Sequence, residues 1–164
     1  MNSGPMMKVA SGGELSRIAL AIAVTTSQLG NYGTSAVAAI ETADLAAMGT
    51  GQLVALSTAG MQALSASQLQ ALGTTQLAAL RTSQIAAIDA ADLATLGTTA
   101  LNGLTAAQLN ALSDTQMGAL TTGQLDALST TLFSALATRE LGYIAASDLA
   151  ALGTTAWSSL TGTQ

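Results

Sequence analysis

Few side chains in this 164-residue sequence could do chemistry, and each group would do a different kind. Ser11, Gly12 and Gly13 come just before a helical pattern, where free backbone N–H groups could bind an anion. Thr stands at the second position of twelve of seventeen eight-residue units, and such a row of hydroxyls could bind ice or a sugar. Hydroxyls are also favoured at the start of any helix, so the pattern equally predicts a solvent-facing helix start.

Several acidic residues recur in the sequence and could suggest a cation site, but their positions in the repeat do not favour one. Asp-Leu-Ala recurs at Asp44, Asp92 and Asp148, but calcium needs six to eight converging oxygens. These Asp residues stand where other units have Gln, so we expect them to be structural and predict no metal site and no cofactor. The chain has no His and no Cys, hence no imidazole base, thiolate nucleophile or zinc ligand set of those types. We therefore predict no enzymatic activity and no catalytic residue.

Charge and hydropathy exclude two further classes of partner. The net charge is −5 with four basic residues, too few to neutralise a nucleic-acid backbone. Mean hydropathy is +0.48, but the apolar run Ile18–Val24 is far shorter than the roughly twenty residues of a membrane span. We expect neither nucleic-acid binding nor a membrane span.

From Gln28 onward the sequence repeats every eight residues without insertion or deletion. The first column of this octad runs from Leu29 to Trp157, and all seventeen residues are apolar. The second column stands three residues later, from Tyr32 to Leu160, and is equally apolar. Ala fills twelve of the seventeen places between them, and Gln, Asp or Glu precedes the first column in twelve. The consensus [Gly/Ser/Thr]-Thr-x-Gln-Leu-x-Ala-Leu describes a true repeat.

A period of eight predicts a solenoid of short helices. On one long helix the apolar stripe would rotate by about 80° with each octad, so the helix must break at a fixed corner. Ala, Leu and Gln favour helix, whereas Val and Ile are too few for a β-helix. We predict an all-α solenoid with one two-turn helix per octad over residues 29–164. Leu should lie inside, Ala at close contacts, and Thr and Gln towards water.

Residues at the predicted corners are suited to end one helix and begin the next. Ser65 and Gln68 fit a capping box, as do the pairs at 105 and 108, 113 and 116, and 121 and 124. Gly49, Gly73 and Gly97 recur every 24 residues, which hints at three octads per coil. If Gly73 and Gly97 are left-handed, replacing them by Val should cost about 1–2 kcal/mol each.

The first 28 residues differ from the array. Residues 1–7 look like a leader, and residues 8–28 contain an amphipathic pattern that predicts a longer capping helix over 11–28. Val9–Ile22 resembles the signature motif of ABC-type ATPases, most closely that of the RecN family of DNA-repair ATPases. In that family Ser11, Gly12 and Gly13 would contact the γ-phosphate of ATP on the opposite subunit. The chain lacks a phosphate-binding Gly-x-x-x-x-Gly-Lys loop, since Lys8 is its only lysine.

The octads resemble long Thr-x-x-Gln-Leu-x-Ala-Leu tracts of large bacterial surface and exported proteins, often named adhesins. This resemblance implies a non-enzymatic spacer, display scaffold or protein-interaction module, and a surface or exported location. The alternatives are a fragment related to an ABC-type DNA-repair ATPase and a Thr-faced ice or glycan binder. Polar capping repeats are not evident, so we expect protein partners, including self-association through uncapped solenoid ends.

Overall fold

The computed structural model describes residues 30–31, 33–162 and 164, and in this part of the chain every regular element is a short helix. The predicted leader 1–7, the capping helix over 11–28 and Ser11, Gly12 and Gly13 lie outside the described residues. The helices are α1 Thr34–Ala38, α2 Thr42–Ala47, α3 Thr50–Ala55, α4 Thr58–Gln62, α5 Ala66–Gln70, α6 Thr74–Ala79, α7 Thr82–Ile85, α8 Ala90–Leu93, α9 Thr98–Asn102, α10 Ala106–Leu109, α11 Asp114–Ala119, α12 Thr122–Asp126, α13 Thr130–Ser134, α14 Thr138–Leu141, α15 Ala146–Ala151 and α16 Thr154–Ser159.

In the part of the chain that the structure describes from Gly33 onward, each octad forms one helix, which follows an extended corner residue and ends before the second column. The predicted capping boxes are present: the N–H of Gln68 donates to Ser65 Oγ, and the N–H of Ser65 donates to Gln68 Oε1. The boxes that start at Thr105, Ser113 and Thr121 form in the same way. Regular helix spans only four to six residues per octad, less than the two turns predicted, because the N–H of the second-column residue bonds three residues back and the chain then turns.

The corners do not use left-handed glycines, so the condition on which the expected cost of replacing Gly73 and Gly97 depended is not met. Gly73 has φ −74° and ψ 161°, and Gly97 has φ −64° and ψ 153°, which is extended backbone open to any residue. At the corner between them, Leu80 is also extended, with φ −63° and ψ 146°. Arg81 follows it with φ −67° and ψ 152°, which explains why the position tolerates a residue that is neither Gly nor a cap.

Three octads make one coil of 24 residues, as the glycine spacing hinted. Contacts between helices join elements three places apart: α1 packs on α4, α2 on α5 and α3 on α6, and most later helices do the same, up to α13 on α16. The described chain is therefore a solenoid with three stacks of helices, which confirms the predicted fold class. Helices packed in this way lie about 8–10 Å apart, so each coil adds roughly that length.

The two apolar columns form one continuous core along the solenoid. Leu77 and Leu101 of the first column are fully buried, and Leu80 and Leu104 of the second column are 4% exposed. Phe133 fits into the first column with no exposed surface. Ala55 and Ala87 pack against this core from the small-residue column, as predicted. No helix among the described residues is long and apolar enough to cross a membrane.

Candidate functional site

The most specific polar arrangement lies at the corners, where a buried glutamine joins two coils. Gln108 is 2% exposed and stands at the third position of α10. Its Oε1 accepts a hydrogen bond from the N–H of Thr105 at 2.7 Å. Its Nε2 donates to the carbonyl oxygens of Leu77 and Leu80, at 2.8 and 2.7 Å, in the coil below. One side chain thus forms hydrogen bonds with a backbone N–H at the start of its own helix and with backbone carbonyls at the end of a helix in the preceding coil.

The same arrangement recurs along the array with a constant register. In each case Nε2 bonds to carbonyl oxygens 31 and 28 residues earlier, at 2.8–3.2 Å and 2.7–2.9 Å respectively. The glutamines with this pattern, which we call the corner glutamines, are Gln68, Gln76, Gln84, Gln108, Gln116 and Gln124. The expectation that Gln faces water is wrong, because five of the six are buried: Gln68, Gln84, Gln108, Gln116 and Gln124.

Aspartate at the same position makes a different contact, because its side chain is one methylene shorter. Asp148 accepts a hydrogen bond from the hydroxyl of Thr122, at the first position of the helix below. Asp92 lies close to the backbone N–H of Ala66, also at a first position. Burial raises the pKa of Asp92, the charge of Asp89 raises it further, and the nearby N–H of Ala66 lowers it. Both carboxylates thus contribute contacts between coils.

Glu140 replaces a corner glutamine and leaves a polar atom unsatisfied. It is 2% exposed, and its Oε1 pairs with the guanidinium of Arg139 at 2.7 Å. Its Oε2 is buried and has no hydrogen-bond partner among the described residues. By the register of the corner glutamines, the carbonyl oxygens it would serve are those of Leu109 and Leu112, and a carboxylate has no N–H to donate to them.

A second set of contacts runs in the opposite direction along the solenoid. Asn102 Nδ2 donates to the carbonyl oxygen of Ala127 at 2.7 Å, and Asn102 Oδ1 accepts from the N–H of Ser129 at 2.7 Å. Asn110 makes the equivalent pair of bonds to Ala135 and Ala137, each at 2.8 Å. Each Asn therefore bridges a corner of the following coil. Corner contacts in both directions hold neighbouring coils in one register.

The threonine column lies on the surface, and part of it lines a shallow groove. Thr74, Thr98 and most other threonines of the column are exposed, as predicted for helix starts. The groove measures about 680 Å³, and its walls come from α6 and α9: Thr74, Thr75, Ala78, Thr98, Thr99, Asn102 and Gly103. The two helices approach closely there, because a Cβ on Gly103 would lie only 2.8 Å from Thr74 Cβ. The groove presents hydroxyl and amide groups and no charge, which suits a neutral polar ligand.

The coil formed by α14, α15 and α16 exposes an apolar surface that the other coils cover. Its first-column residues are Leu141, Leu149 and Trp157, and we call this surface the α14–α16 face. Trp157 is 46% exposed, Leu149 is partly buried and Leu141 is 9% exposed, whereas Leu125 in the coil below is fully buried. In the described part of the chain no helix lies three places after α14, α15 or α16 to cover this face. Tyr143, just after α14, is 37% exposed and lies against the guanidinium of Arg139.

The structure does not join the site residues predicted from the sequence into one site. Ser11, Gly12 and Gly13 are outside the described residues, so the phosphate site stays a prediction. Asp44, Asp92 and Asp148 are not brought together, and no group of three or more acidic, His or Cys side chains suited to a metal occurs in the part of the chain that the structure describes.

The sequence contains a signal for the corner glutamines that the prediction of a water-facing Gln overlooks. The position before the first column holds Gln in eight of seventeen octads, and Asp or Glu in four more. A water-facing position has no reason to favour one amide so strongly, as the variety at other exposed positions shows. The capping box explains Oε1 alone. The partner of Nε2 lies a whole coil away and depends on the stacking of three octads per turn.

Comparison with known proteins supports the repeat array. Residues 37–74 and residues 85–122 each match the family model of the ALTTAQ repeat. The two segments begin two whole coils apart, at equivalent positions of the solenoid. No curated protein and no solved structure gives a significant match to the chain.

Proposed function

We propose that this array of ALTTAQ-like octads is a non-enzymatic structural module, a spacer or display scaffold of a bacterial surface or exported protein. The observation that carries the proposal is the constant register of the corner glutamines, from Gln68 to Gln124. Because helices pack three places apart from one coil to the next, length can grow without changing cross-section. A solenoid of this kind sets the distance between the segments joined to its two ends.

The use of the polar side chains supports a structural role over a catalytic one. The buried glutamines are already engaged in contacts between coils, as Gln116 is with Ile85 and Ile88. The surface consists mainly of Thr, Ser, Ala and Gly, with thirteen charged residues in the whole sequence. A protein partner would meet small, neutral side chains on the stacked faces. The bacterial and surface assignment rests on the resemblance of the octads.

The groove between α6 and α9 favours a second candidate, a neutral glycan bound through Thr74, Thr98 and Asn102. A glycan array would detect it, and a Thr98→Val variant should lose the signal. Thermal hysteresis would test the related ice-binding hypothesis. The third alternative, a fragment related to an ABC-type ATPase, predicts that this chain binds ATP by itself and that Gly12→Asp abolishes the binding.

Small-angle X-ray scattering of a length series tests the spacer proposal. Duplicating residues 85–108 inserts one coil and should lengthen the particle by about 10 Å with an unchanged cross-section. Inserting one octad should be tolerated, because it adds a third of a coil in register. Inserting four residues is the control, since it displaces both columns and should lower the melting temperature. A particle whose longest dimension does not grow with added coils would contradict the proposal.

A further inference from the structure

Asn102 and Gly103, at the end of α9, form the only Asn-Gly pair in the sequence. Asn is one of the chemically labile residues of proteins. Its side-chain amide is open to attack by the backbone nitrogen of the next residue, above all when that residue has no Cβ to hinder the approach. Asn102 is exposed, so water reaches its side chain. Electrophile, nucleophile and water thus meet at two adjacent residues.

Each member of this pair has a structural reason for its residue type. Asn102 bridges the corner of the following coil through Ala127 and Ser129, with both bonds at 2.7 Å. Gly103 leaves room for α6, since a Cβ there would lie 2.8 Å from Thr74 Cβ and 3.0 Å from Thr74 Cα. The stacking of coils requires both residues, and it therefore places a reactive sequence at a joint between coils.

The folded chain restrains the pair from reacting. The N–H of Gly103 donates to the carbonyl oxygens of Ala100 and Thr99, at 3.0 and 3.2 Å. Gly103 has helical backbone angles, φ −76° and ψ −15°. For attack, its nitrogen must leave these bonds and turn towards Cγ of Asn102, which opens the last turn of α9. Helix ends open at a lower free-energy cost than the whole fold, so this turn opens more often than the chain unfolds.

We infer that Asn102 is a site of spontaneous modification, at which Gly103 drives deamidation. The Gly103 nitrogen loses its proton to water and attacks Cγ of Asn102. A C–N bond forms, the bond from Cγ to Nδ2 breaks, and the amide nitrogen takes up a proton and leaves as ammonia. Water then opens the cyclic succinimide at either carbonyl, which yields aspartate or isoaspartate. The net change consumes one water and releases one ammonia.

Either product weakens the joint between α9 and the following coil. A carboxylate has no N–H to donate to the carbonyl oxygen of Ala127. Isoaspartate also adds a methylene to the backbone, which displaces Gly103 from its close contact with Thr74. The inference goes beyond the proposed function, because it concerns how long a joint of the array lasts rather than what the array connects.

Asn110 provides a matched control within the same chain. It makes the equivalent pair of bonds to the following coil, to Ala135 and Ala137, each at 2.8 Å. The next residue is Ala111, whose Cβ hinders the attack that Gly103 permits. The two asparagines therefore differ mainly in the nucleophile.

Peptide mass spectrometry of the full chain, aged in mildly alkaline buffer with and without urea, tests the site. The mass increase that replaces an NH2 group by OH should accumulate at Asn102 severalfold faster than at Asn110. It should be severalfold slower in buffer than in urea. The Ala111→Gly variant should raise the rate at Asn110 towards that of Asn102. Equal rates at the two asparagines of the wild type would overturn the site.

Two further outcomes address the part played by α9. An equal rate at Asn102 in buffer and in urea would overturn the restraint by the helix. No product in buffer after full conversion in urea would overturn the opening of its last turn.

The effect on the joint is measured by thermal unfolding of Asn102→Asp, which reproduces one product. Its melting temperature should fall, whereas Ala107→Asp, with the same charge at an exposed position, should leave it nearly unchanged. An unchanged melting temperature for Asn102→Asp would overturn the weakened joint. All these results are independent of the length series, so failure here differs from failure of the spacer.

Discussion

Gln108 Nε2 lies 2.7 Å from the carbonyl oxygen of Leu80, and this bond links two coils across 28 residues of chain. The same side chain accepts from its own helix start, so neither the amide oxygen nor the amide nitrogen is left without a partner in the core. This buried amide must both donate and accept hydrogen bonds, so a group that can only do one of these cannot replace it. This relationship underlies the first prediction.

Gln108→Glu should destabilise the protein by about 3 kcal/mol, because a carboxylate cannot donate to Leu77 or Leu80 and would be buried beside their carbonyl oxygens. Urea unfolding followed by circular dichroism measures the change. Ala107→Glu, with the same new charge on the exposed neighbouring position, should change stability by less than about 0.5 kcal/mol. Equal effects of the two substitutions would show that the corner bonds contribute little.

Glu140→Gln should raise stability by about 1–2 kcal/mol, because the amide can donate where Oε2 has no partner. The lost pair with the largely exposed Arg139 offsets this only slightly, since such pairs contribute about 0–1 kcal/mol. Thermal unfolding measures the gain, with Glu41→Gln at an exposed corner as the control. A lower melting temperature for Glu140→Gln would mean that the ion pair outweighs the missing donor.

Asp92→Asn should stabilise the protein at neutral pH and remove part of its pH dependence. The folded-state pKa of Asp92 is raised above the ordinary value of 3.8, so folding favours its protonated form. Wild-type stability should therefore increase as pH falls from above that raised pKa to 3.8, whereas the Asn variant lacks this increase. Urea midpoints measured between neutral and acidic pH test this. A constant difference between the two proteins across that range would rule out Asp92 as the source.

Two glycines should respond in opposite ways to the addition of a side chain. Gly97 has ordinary extended backbone and nothing within 4 Å of an added Cβ, so Gly97→Ser should stabilise by about 0.5–1 kcal/mol through a new N-cap. Gly103→Ser should destabilise by about 1–3 kcal/mol, because its Cβ would meet Thr74 at 2.8 Å. Melting temperatures of the two variants give the comparison directly. Similar shifts in one direction would contradict the close approach of α6 and α9.

The sequence predicts the local parts of this fold well, because they depend on neighbours in the chain. The capping boxes at Ser65 and Thr105 need only residues three apart, and the buried columns follow from the period of eight. The spacing of Gly49, Gly73 and Gly97 even indicated the three-octad coil. Because Ala, Leu and Gln favour helix over strand, the sequence also predicted that the solenoid is built from helices.

The contacts between coils could not be predicted in this way, because they join residues that are distant in the sequence. The carbonyl partners of Gln108 are 28 and 31 residues away, a distance that only the stacking of helices defines. The backbone angles of Gly73 could not be inferred either, since Gly suits both left-handed and extended corners. The exposure of Trp157 depends on which helix lies above it, which no single octad encodes.

The corner bonds also determine how the solenoid would respond to force. Because Gln108 and its equivalents join each coil to the one below, a pull along the axis would load those bonds in succession. Coils would then peel away singly, each releasing about 70 Å as 24 residues extend from a stacked layer. The α14–α16 coil, which carries Glu140, has no corner glutamine in its three helices and would yield early. An array of this kind would lengthen under tension in small steps and dissipate energy at each one.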